Sequence, residues 1–125
     1  MGWCKVNIVA IRGAITVDSN TSDSILKSTE EMLEAITKKN NINIDDIIQI
    51  QFTATKDLDA IYPAVAARNM GITSAALMCM QEMYVEDSLP MCIRLSMLTH
   101  SNSLTQKEVK HVYLKGATVL RTDLS

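Results

Sequence analysis

All four arginines stand next to or within apolar segments, which is unusual for a charged side chain. Arg12 follows an apolar run, Arg94 lies within Cys-Ile-Arg-Leu-Ser-Met, Arg121 follows Ala-Thr-Val-Leu, and Arg68 ends Ala-Val-Ala-Ala-Arg. A guanidinium is a planar, permanently charged fork of donors that binds a carboxylate through two parallel hydrogen bonds. The four residues therefore indicate either a site for a small molecule with more than one carboxylate, or ion pairs within the chain or between subunits.

Glu82 is the acidic counterpart, because it stands in Cys-Met-Gln-Glu-Met directly after an apolar run. A buried carboxylate needs an arginine or hydroxyl partner, or it takes up a proton. Glu82 is therefore either such a partner or a strand-end residue that reaches solvent. Cys79 is interpreted as a core residue rather than a nucleophile, and Tyr113 as either a core residue or a phenol donor. His100 and His111 are isolated and are interpreted as surface or capping residues.

Composition excludes several classes of function. Twelve basic and fourteen acidic residues give a net charge of −2, and aromatic residues make up only 4%, which disfavours a nucleic-acid partner. No apolar run approaches the roughly 18 residues of a membrane span. The three cysteines do not form a metal or disulfide pattern, and the sequence contains neither a glycine-rich phosphate loop nor a nucleophile elbow. We expect no metal, no cofactor and no membrane contact, and a reducing cytoplasmic location.

The elements that must position these side chains follow from hydrophobic periodicity and capping signals, in a single domain over residues 1–125. The first half of the chain predicts a strand Lys5–Ile11 stopped by Arg12-Gly13, a helix from the capping residues Asp18–Asp23 to Lys38-Lys39-Asn40-Asn41, and a strand Ile47–Thr53. A helix Leu58–Met70, with Pro63 in its first turn, and the strands Ser74–Met80 and Met91–Leu98 follow. The predicted C-terminal part is a short helix from the Thr105/Glu108 capping box and a strand Ala117–Arg121.

This order predicts an α/β (α+β) domain with a mixed sheet of about five strands and helices on one face. Strand alternation places Cys92, Arg94 and Ser96 on one side of their strand and the more apolar Ile93 and Leu95 on the other. Arg94 should therefore point away from the core.

Five blocks of the sequence together resemble one enzyme family. The blocks, in order, are Ile11-Arg12-Gly13-Ala14, Ala60-Ile61-Tyr62-Pro63-Ala64 with Arg68, Cys79-Met80-Gln81-Glu82-Met83, Cys92-Ile93-Arg94, and His111-Val112-Tyr113-Leu114 through Val119-Leu120-Arg121. In order and spacing they resemble the monofunctional chorismate mutases of the AroH class across nearly the whole chain. The resemblance implies a homotrimeric pseudo-α/β barrel with sites between subunits, which isomerises chorismate to prephenate in aromatic amino-acid biosynthesis without a cofactor.

The resemblance also assigns the residues of the site. One chain would supply Arg12, Cys79, Glu82, Arg94 and Tyr113, the adjacent chain Tyr62, Ala64 and Arg68, and the C-terminal part Leu120 and Arg121. In these roles, Arg12 and Tyr113, with Arg68 or Arg121, would hold the two carboxylates of chorismate. Arg94 would stabilise the ether oxygen, and Glu82 with Cys79 would bind the ring hydroxyl.

Two positions depart from the family pattern, and two rival functions remain open. Val65 stands where relatives have a lysine, so one peripheral positive charge near the cleft is missing, and Tyr62 stands where relatives have phenylalanine. One rival is a trimeric imine deaminase of the RidA type, which uses an interface arginine for a carboxylate, although its motif blocks are not found here. The other is a non-catalytic trimeric protein that binds carboxylates.

Overall fold

The structure is a computed structural model that describes the backbone of residues 7–124 and the side chains of residues 7–120. Its elements are β1 (Asn7–Thr16), α1 (Ser22–Lys39), β2 (Ile47–Ala54), α2 (Ala64–Asn69), β3 (Ala76–Gln81), β4 (Cys92–Ser101) and β5 (Val112–Leu114), with 3₁₀ helices at Ile44–Asp46 and Lys115–Leu124. None of the described helices has the length and apolar character needed to cross a lipid bilayer.

The five strands form one mixed sheet in the order β3-β2-β4-β1-β5, which confirms the expected sheet. Strand β4 pairs antiparallel with β1 and β2, whereas the outer pairs β1–β5 and β2–β3 are parallel. Helix α1 covers one face of the sheet. The core lies between them and is mainly aliphatic. Its largest fully buried side chains include Ile11, Ile15, Ile25, Met32, Leu33, Ile36, Ile50, Phe52, Ile93 and Met97.

Helix α1 forms where local signals agree. The Thr21 side chain caps it by accepting a hydrogen bond from the Ser24 amide, Asp23 lies in the first turn, and Lys38 and Lys39 lie in the last. These charges oppose the helix dipole at each end. The predicted helix is therefore confirmed.

Strand β1 is longer than predicted, because Arg12 and Gly13 lie inside it rather than after it. The strand is hydrogen-bonded on both edges, to β4 and to β5, and this pairing overrides the local turn signal. Glycine leaves room for the side chains of α1 at this point: a Cβ on Gly13 would lie 2.7 Å from Cδ1 of Ile36, which would have to shift. The predicted start at Lys5 lies outside the described residues.

The predicted helix Leu58–Met70 is wrong in its first half, since α2 begins at Ala64 with Pro63 as its N-cap. A proline disfavours helical backbone at the preceding residue, so Tyr62 cannot belong to the same helix. The preceding loop is fixed instead by the Asn20 side chain, whose Oδ1 accepts hydrogen bonds from the amides of Asp59 and Ala60.

The C-terminal predictions are also corrected. Only half of the capping box forms: Glu108 Oε1 accepts hydrogen bonds from the amide and hydroxyl of Thr105, whereas the Glu108 amide donates to the Thr105 carbonyl, and the result is a turn. The predicted strand Ala117–Arg121 is part of a 3₁₀ helix, and the fifth strand is Val112–Leu114. Ala117 and Leu120 both pack on the cluster around Ala14, and their three-residue spacing suits a 3₁₀ helix rather than a strand.

Candidate active site

A row of paired residues crosses the sheet on the face opposite α1, which we call the distal face. Arg94 on β4 pairs with Ala14 of β1 on one side and with Thr53 of β2 on the other. The row continues to Tyr113 of β5 beside Ala14 and to Met80 of β3 beside Thr53. Because directly paired residues point to the same face, this register brings Arg94, Tyr113 and Thr53 together from three strands.

A cavity of about 190 Å³ opens on the distal face, and we call it the arginine cleft. It is lined by Arg12, Gly13, Gln51, Thr53, Met80, Glu82, Arg94, Leu95, Ser96 and Tyr113. Four of the predicted site residues, Arg12, Glu82, Arg94 and Tyr113, thus line one cavity. Two guanidinium groups, a carboxylate and a phenol here surround a space of small-molecule dimensions.

Glu82 and Arg94 form an ion pair at the wall of the cleft, with Arg94 Nε 3.6 Å from Glu82 Oε1. The Thr53 hydroxyl donates to the same carboxylate oxygen at 2.5 Å, and the Glu82 amide donates to the Ala54 carbonyl. These contacts fix Glu82 beyond the end of β3. Both alternatives for Glu82 are partly realised, because its side chain has an arginine and a hydroxyl partner and yet remains 24% exposed.

The backbone at Arg12 is held by a residue that the sequence pattern did not single out. The Arg12 amide donates to Nδ1 of His111 at 2.9 Å. Burial, together with the Arg12 charge, lowers the pKa of His111, so the imidazole is neutral and can accept at neutral pH. His111 is therefore not isolated, and of its two interpretations, surface residue or capping residue, the contact favours the second, because the side chain satisfies a backbone amide. The sequence feature that could have indicated this role is the position of His111 directly before Val112 and Tyr113.

A second and larger cavity, the loop cavity, has a volume of about 540 Å³ and lies at the carboxyl ends of β2 and β3. It is bounded by the loop before α2, and its lining includes Tyr62, Cys79, Thr53, Met80 and Lys56. The Tyr62 side is open to solvent, since that residue is 70% exposed. Because Thr53 and Met80 line both cavities, the loop cavity and the arginine cleft adjoin.

Cys79 belongs to the loop-cavity side of the molecule. Burial raises the pKa of its thiol, while a hydrogen bond with the Ala64 backbone and the charge of Arg68 act in the opposite direction. Cys79 does not line the arginine cleft. Side chains alternate along a strand, so Met80 and Cys79 point to opposite faces, and Cys79 is separated from Glu82 within one chain.

The predicted site residues therefore divide into two groups. Arg12, Glu82, Arg94 and Tyr113 line the arginine cleft, whereas Tyr62, Ala64, Arg68 and Cys79 lie at or beside the loop cavity. Leu120 packs against the Ala14, Cys92 and Ala117 cluster next to Tyr113. The side chain of Arg121 lies outside the described residues.

Comparisons with known proteins show the family to which the chain belongs. The family model described as chorismate mutase type I matches residues 8–124. The chain is 42% identical over 119 residues to the chorismate mutase AroH of Bacillus subtilis (strain 168), covering 94% of this chain and 93% of that protein. It is 39% identical over 115 residues to the chorismate mutase AroH of Thermus thermophilus, covering 91% and 93%.

Solved structures include a similar fold. A chorismate mutase from Clostridium thermocellum has a TM-score of 0.85 and 55% identity, with 88% of this chain and 97% of that chain covered. The match of the family model extends over nearly all of the described residues, including both groups of site residues. The chain therefore belongs to the chorismate mutase type I family, and its function is that of a chorismate mutase, an isomerase.

Proposed function

We propose that the chain converts chorismate to prephenate by a pericyclic rearrangement at a site that two chains of a homotrimer build together. The observation that supports it best is the arginine cleft, in which Arg12, Arg94 and Tyr113 surround one cavity with Glu82 at its wall. In this rearrangement one C–O bond breaks as one C–C bond forms, and neither a nucleophile nor a proton transfer is required. Cationic donors on a rigid sheet are what such a reaction needs.

Each residue of the arginine cleft has its own role in the proposed reaction. Arg12 and Tyr113 hold carboxylates of chorismate in the compact reactive conformer, and this positioning lowers the entropic barrier. Arg94 binds the ether oxygen, on which negative charge grows as the C–O bond breaks, so it stabilises the transition state more than the substrate. Glu82, oriented by Thr53 and Arg94, accepts a hydrogen bond from the ring hydroxyl.

The size of the cleft supports a shared site. Cavities that bind small molecules usually measure about 300–1,000 Å³, so 190 Å³ is too little for full enclosure. The loop cavity of a neighbouring chain, with Tyr62 and Arg68 at or beside it, offers the complementary wall. An interface between two different surfaces, cleft against loop cavity, closes into a ring when each contact rotates the next chain by a third of a turn, and three chains then make three sites.

Exposed apolar side chains support the same assembly. Met78 and Met80 are 52% and 40% exposed on β3, which is an edge strand of the sheet. An exposed apolar edge strand favours association with another chain.

The described cysteines, Cys79 and Cys92, are unpaired thiols, which supports the proposed cytoplasmic location.

One assay tests the activity directly. Purified protein is mixed with chorismate, and loss of its absorbance is followed while prephenate is identified as the product. An imino acid substrate in parallel reactions measures imine deamination, and sizing with light scattering gives the oligomeric state. We expect chorismate turnover by a trimer and no deamination. Binding of chorismate without turnover would reject the enzymatic function, and an active monomer would reject the shared site.

A further inference from the structure

Along one edge of β1, two side chains form hydrogen bonds with the backbone at positions that the short strand β5 does not reach. Strand β5 is only three residues long and pairs with Gly13, Ala14 and Ile15. Before that point, the Ala10 amide and carbonyl both bond to the side-chain amide of Gln106, each at 2.7 Å. The Arg12 amide, two residues further on, bonds to Nδ1 of His111 at 2.9 Å. Gln106 and His111 thus occupy the ladder positions that a longer β5 would fill.

The two side chains are not equivalent in what they hold. Gln106 contacts the backbone at Ala10, whereas His111 contacts the backbone of Arg12, whose side chain lines the arginine cleft. His111 also lies directly before β5, two residues from Tyr113, which lines the same cleft. One imidazole therefore connects the strand that bears Arg12 to the strand that bears Tyr113.

We propose that His111 is a positioning residue for the mutase reaction: its neutral imidazole holds the backbone of Arg12 so that the guanidinium points into the cleft. The inference rests on the proposed function, because Arg12 is there assigned to a carboxylate of chorismate. An imidazole that accepts at Nδ1 carries its proton on Nε2. Protonation of Nδ1 removes the acceptor and places a second positive charge beside Arg12.

The surroundings of His111 favour the neutral form. Burial, followed by the charge of Arg12 on β1, lowers the pKa of His111. Lys110 precedes it in the chain, and its amide and carbonyl are bonded to the side chain of Asn40, the uncharged C-cap of α1. Tyr113 is the titratable group that follows on β5. The segment before β5 is thus anchored independently of His111.

Three variants distinguish a role of His111 in positioning Arg12 from simple hydrogen bonding to the exposed edge of β1. His111→Ala removes the acceptor, His111→Asn offers a carbonyl oxygen close to the position of Nδ1, and Gln106→Ala is the matched control on the same edge. We expect His111→Ala to lower kcat/KM by about two- to tenfold, mainly through KM, which is what one lost hydrogen bond supplies. His111→Asn should restore it to within about twofold of the parent, and Gln106→Ala should leave it unchanged.

The pH dependence of kcat/KM distinguishes the proposed positioning role of His111 from a purely structural one. In the parent, kcat/KM should fall as the pH drops below the ordinary histidine range, and in His111→Asn it should stay level over that same interval. The inference is overturned if both proteins share one acid limb, if Asn rescues no better than Ala, or if Gln106→Ala is as impaired as His111→Ala.

A spectroscopic measurement keeps the inference distinct from the proposed activity. The ¹⁵N shifts of the imidazole at neutral pH report which ring nitrogen holds the proton, and they require no turnover. An unprotonated Nδ1 with the proton on Nε2 supports the geometry even if the parent fails to convert chorismate. A proton on Nδ1 overturns the inference even if the parent is an active mutase.

Discussion

Arg94 and Glu82 lie 3.6 Å apart, from Nε to Oε1, and the Thr53 hydroxyl fixes the same carboxylate oxygen. The Arg94 side chain is 46% exposed, and ion pairs that are exposed to this degree contribute little to folding. The pair is therefore poorly explained as a stabilising contact. Its position on the wall of the arginine cleft gives it a role in binding and catalysis instead.

Replacement of Arg94 by alanine should abolish most of the catalysis while the fold persists. A donor aimed at charge that develops in the transition state is worth about 2.7–4 kcal/mol, so we expect turnover to fall by at least 10²–10³-fold. Arg94→Lys keeps the charge but loses the planar fork, and should recover only part of the loss. Steady-state kinetics measure the effect, with circular dichroism and sizing to verify the folded assembly.

Asp18→Asn provides the matched control for Arg94, because Asp18 forms an exposed ion pair with Lys115 that is also 3.6 Å long and lies away from the cleft. We expect its turnover to equal that of the parent. A folded Arg94→Ala protein with turnover within about threefold of the parent, a loss of well under 1 kcal/mol, would exclude Arg94 as the electrostatic catalyst.

Turnover should vary little between about pH 7 and pH 9, because the proposed rearrangement moves no proton and the arginines stay charged. The measurement is kcat at saturating chorismate across this range, in buffers of constant ionic strength. A sharp bell-shaped profile centred near neutrality would mean that a general acid or base takes part, and would contradict the pericyclic mechanism.

Folding stability should rise with pH through the range in which His111 titrates. Burial, followed by the Arg12 charge, lowers its pKa in the folded chain, whereas the unfolded value is about 6.5. Between the two values the unfolded chain binds more protons, so the free energy of unfolding increases with pH and levels off above about 6.5. Denaturant unfolding at a series of pH values tests this, and His111→Asn should remove that part of the slope.

Two inactive variants should restore activity to each other if each site uses two chains. In a closed head-to-tail ring, random mixing of Arg68→Ala with Arg94→Ala gives an intact site with a probability of one half times one half, so about a quarter of the parent activity should return. The variants are dissociated, mixed, reassembled and assayed. Exchange of subunits is verified by mass spectrometry.

The control for this mixture pairs two residues of the same cleft. Arg12 and Arg94 line one cavity of one chain, so Arg12→Ala mixed with Arg94→Ala should stay inactive. If Arg68→Ala with Arg94→Ala also stays inactive after verified exchange, the shared site is wrong.

Asp57 should contribute to stability through the backbone that enters β4. Both of its carboxylate oxygens accept from the Met91 amide, at 3.2 and 3.0 Å, and Met91 has a left-handed φ of 52°. Asp57→Ala removes this support and should cost about 1 kcal/mol in denaturant unfolding. Asp59→Ala in the same loop is the control, because the Asp59 carboxylate accepts an exposed side-chain hydrogen bond from Asn20, while the Asp59 and Ala60 amides that Asn20 holds are unchanged by the substitution. Equal losses for the two variants would contradict the assignment.

The sequence by itself determined the features that depend on neighbouring residues. The apolar stripe and the capping residues of α1 lie within one segment, and the alternation along β4 placed Arg94 opposite the buried Ile93 and Leu95. The family blocks predicted the candidate site residues, and four of these line the arginine cleft. Local signals failed where distant partners compete with them, as at Gly13, which pairs on both sides, and at the Thr105 turn.

Only the tertiary structure decided how these residues meet. Arg94, Thr53 and Tyr113 share a row because strands far apart in the chain pair in a particular register, and burial of one complete face of the sheet sets that register. The bond from Arg12 to His111 spans 99 residues, so no local pattern encodes it.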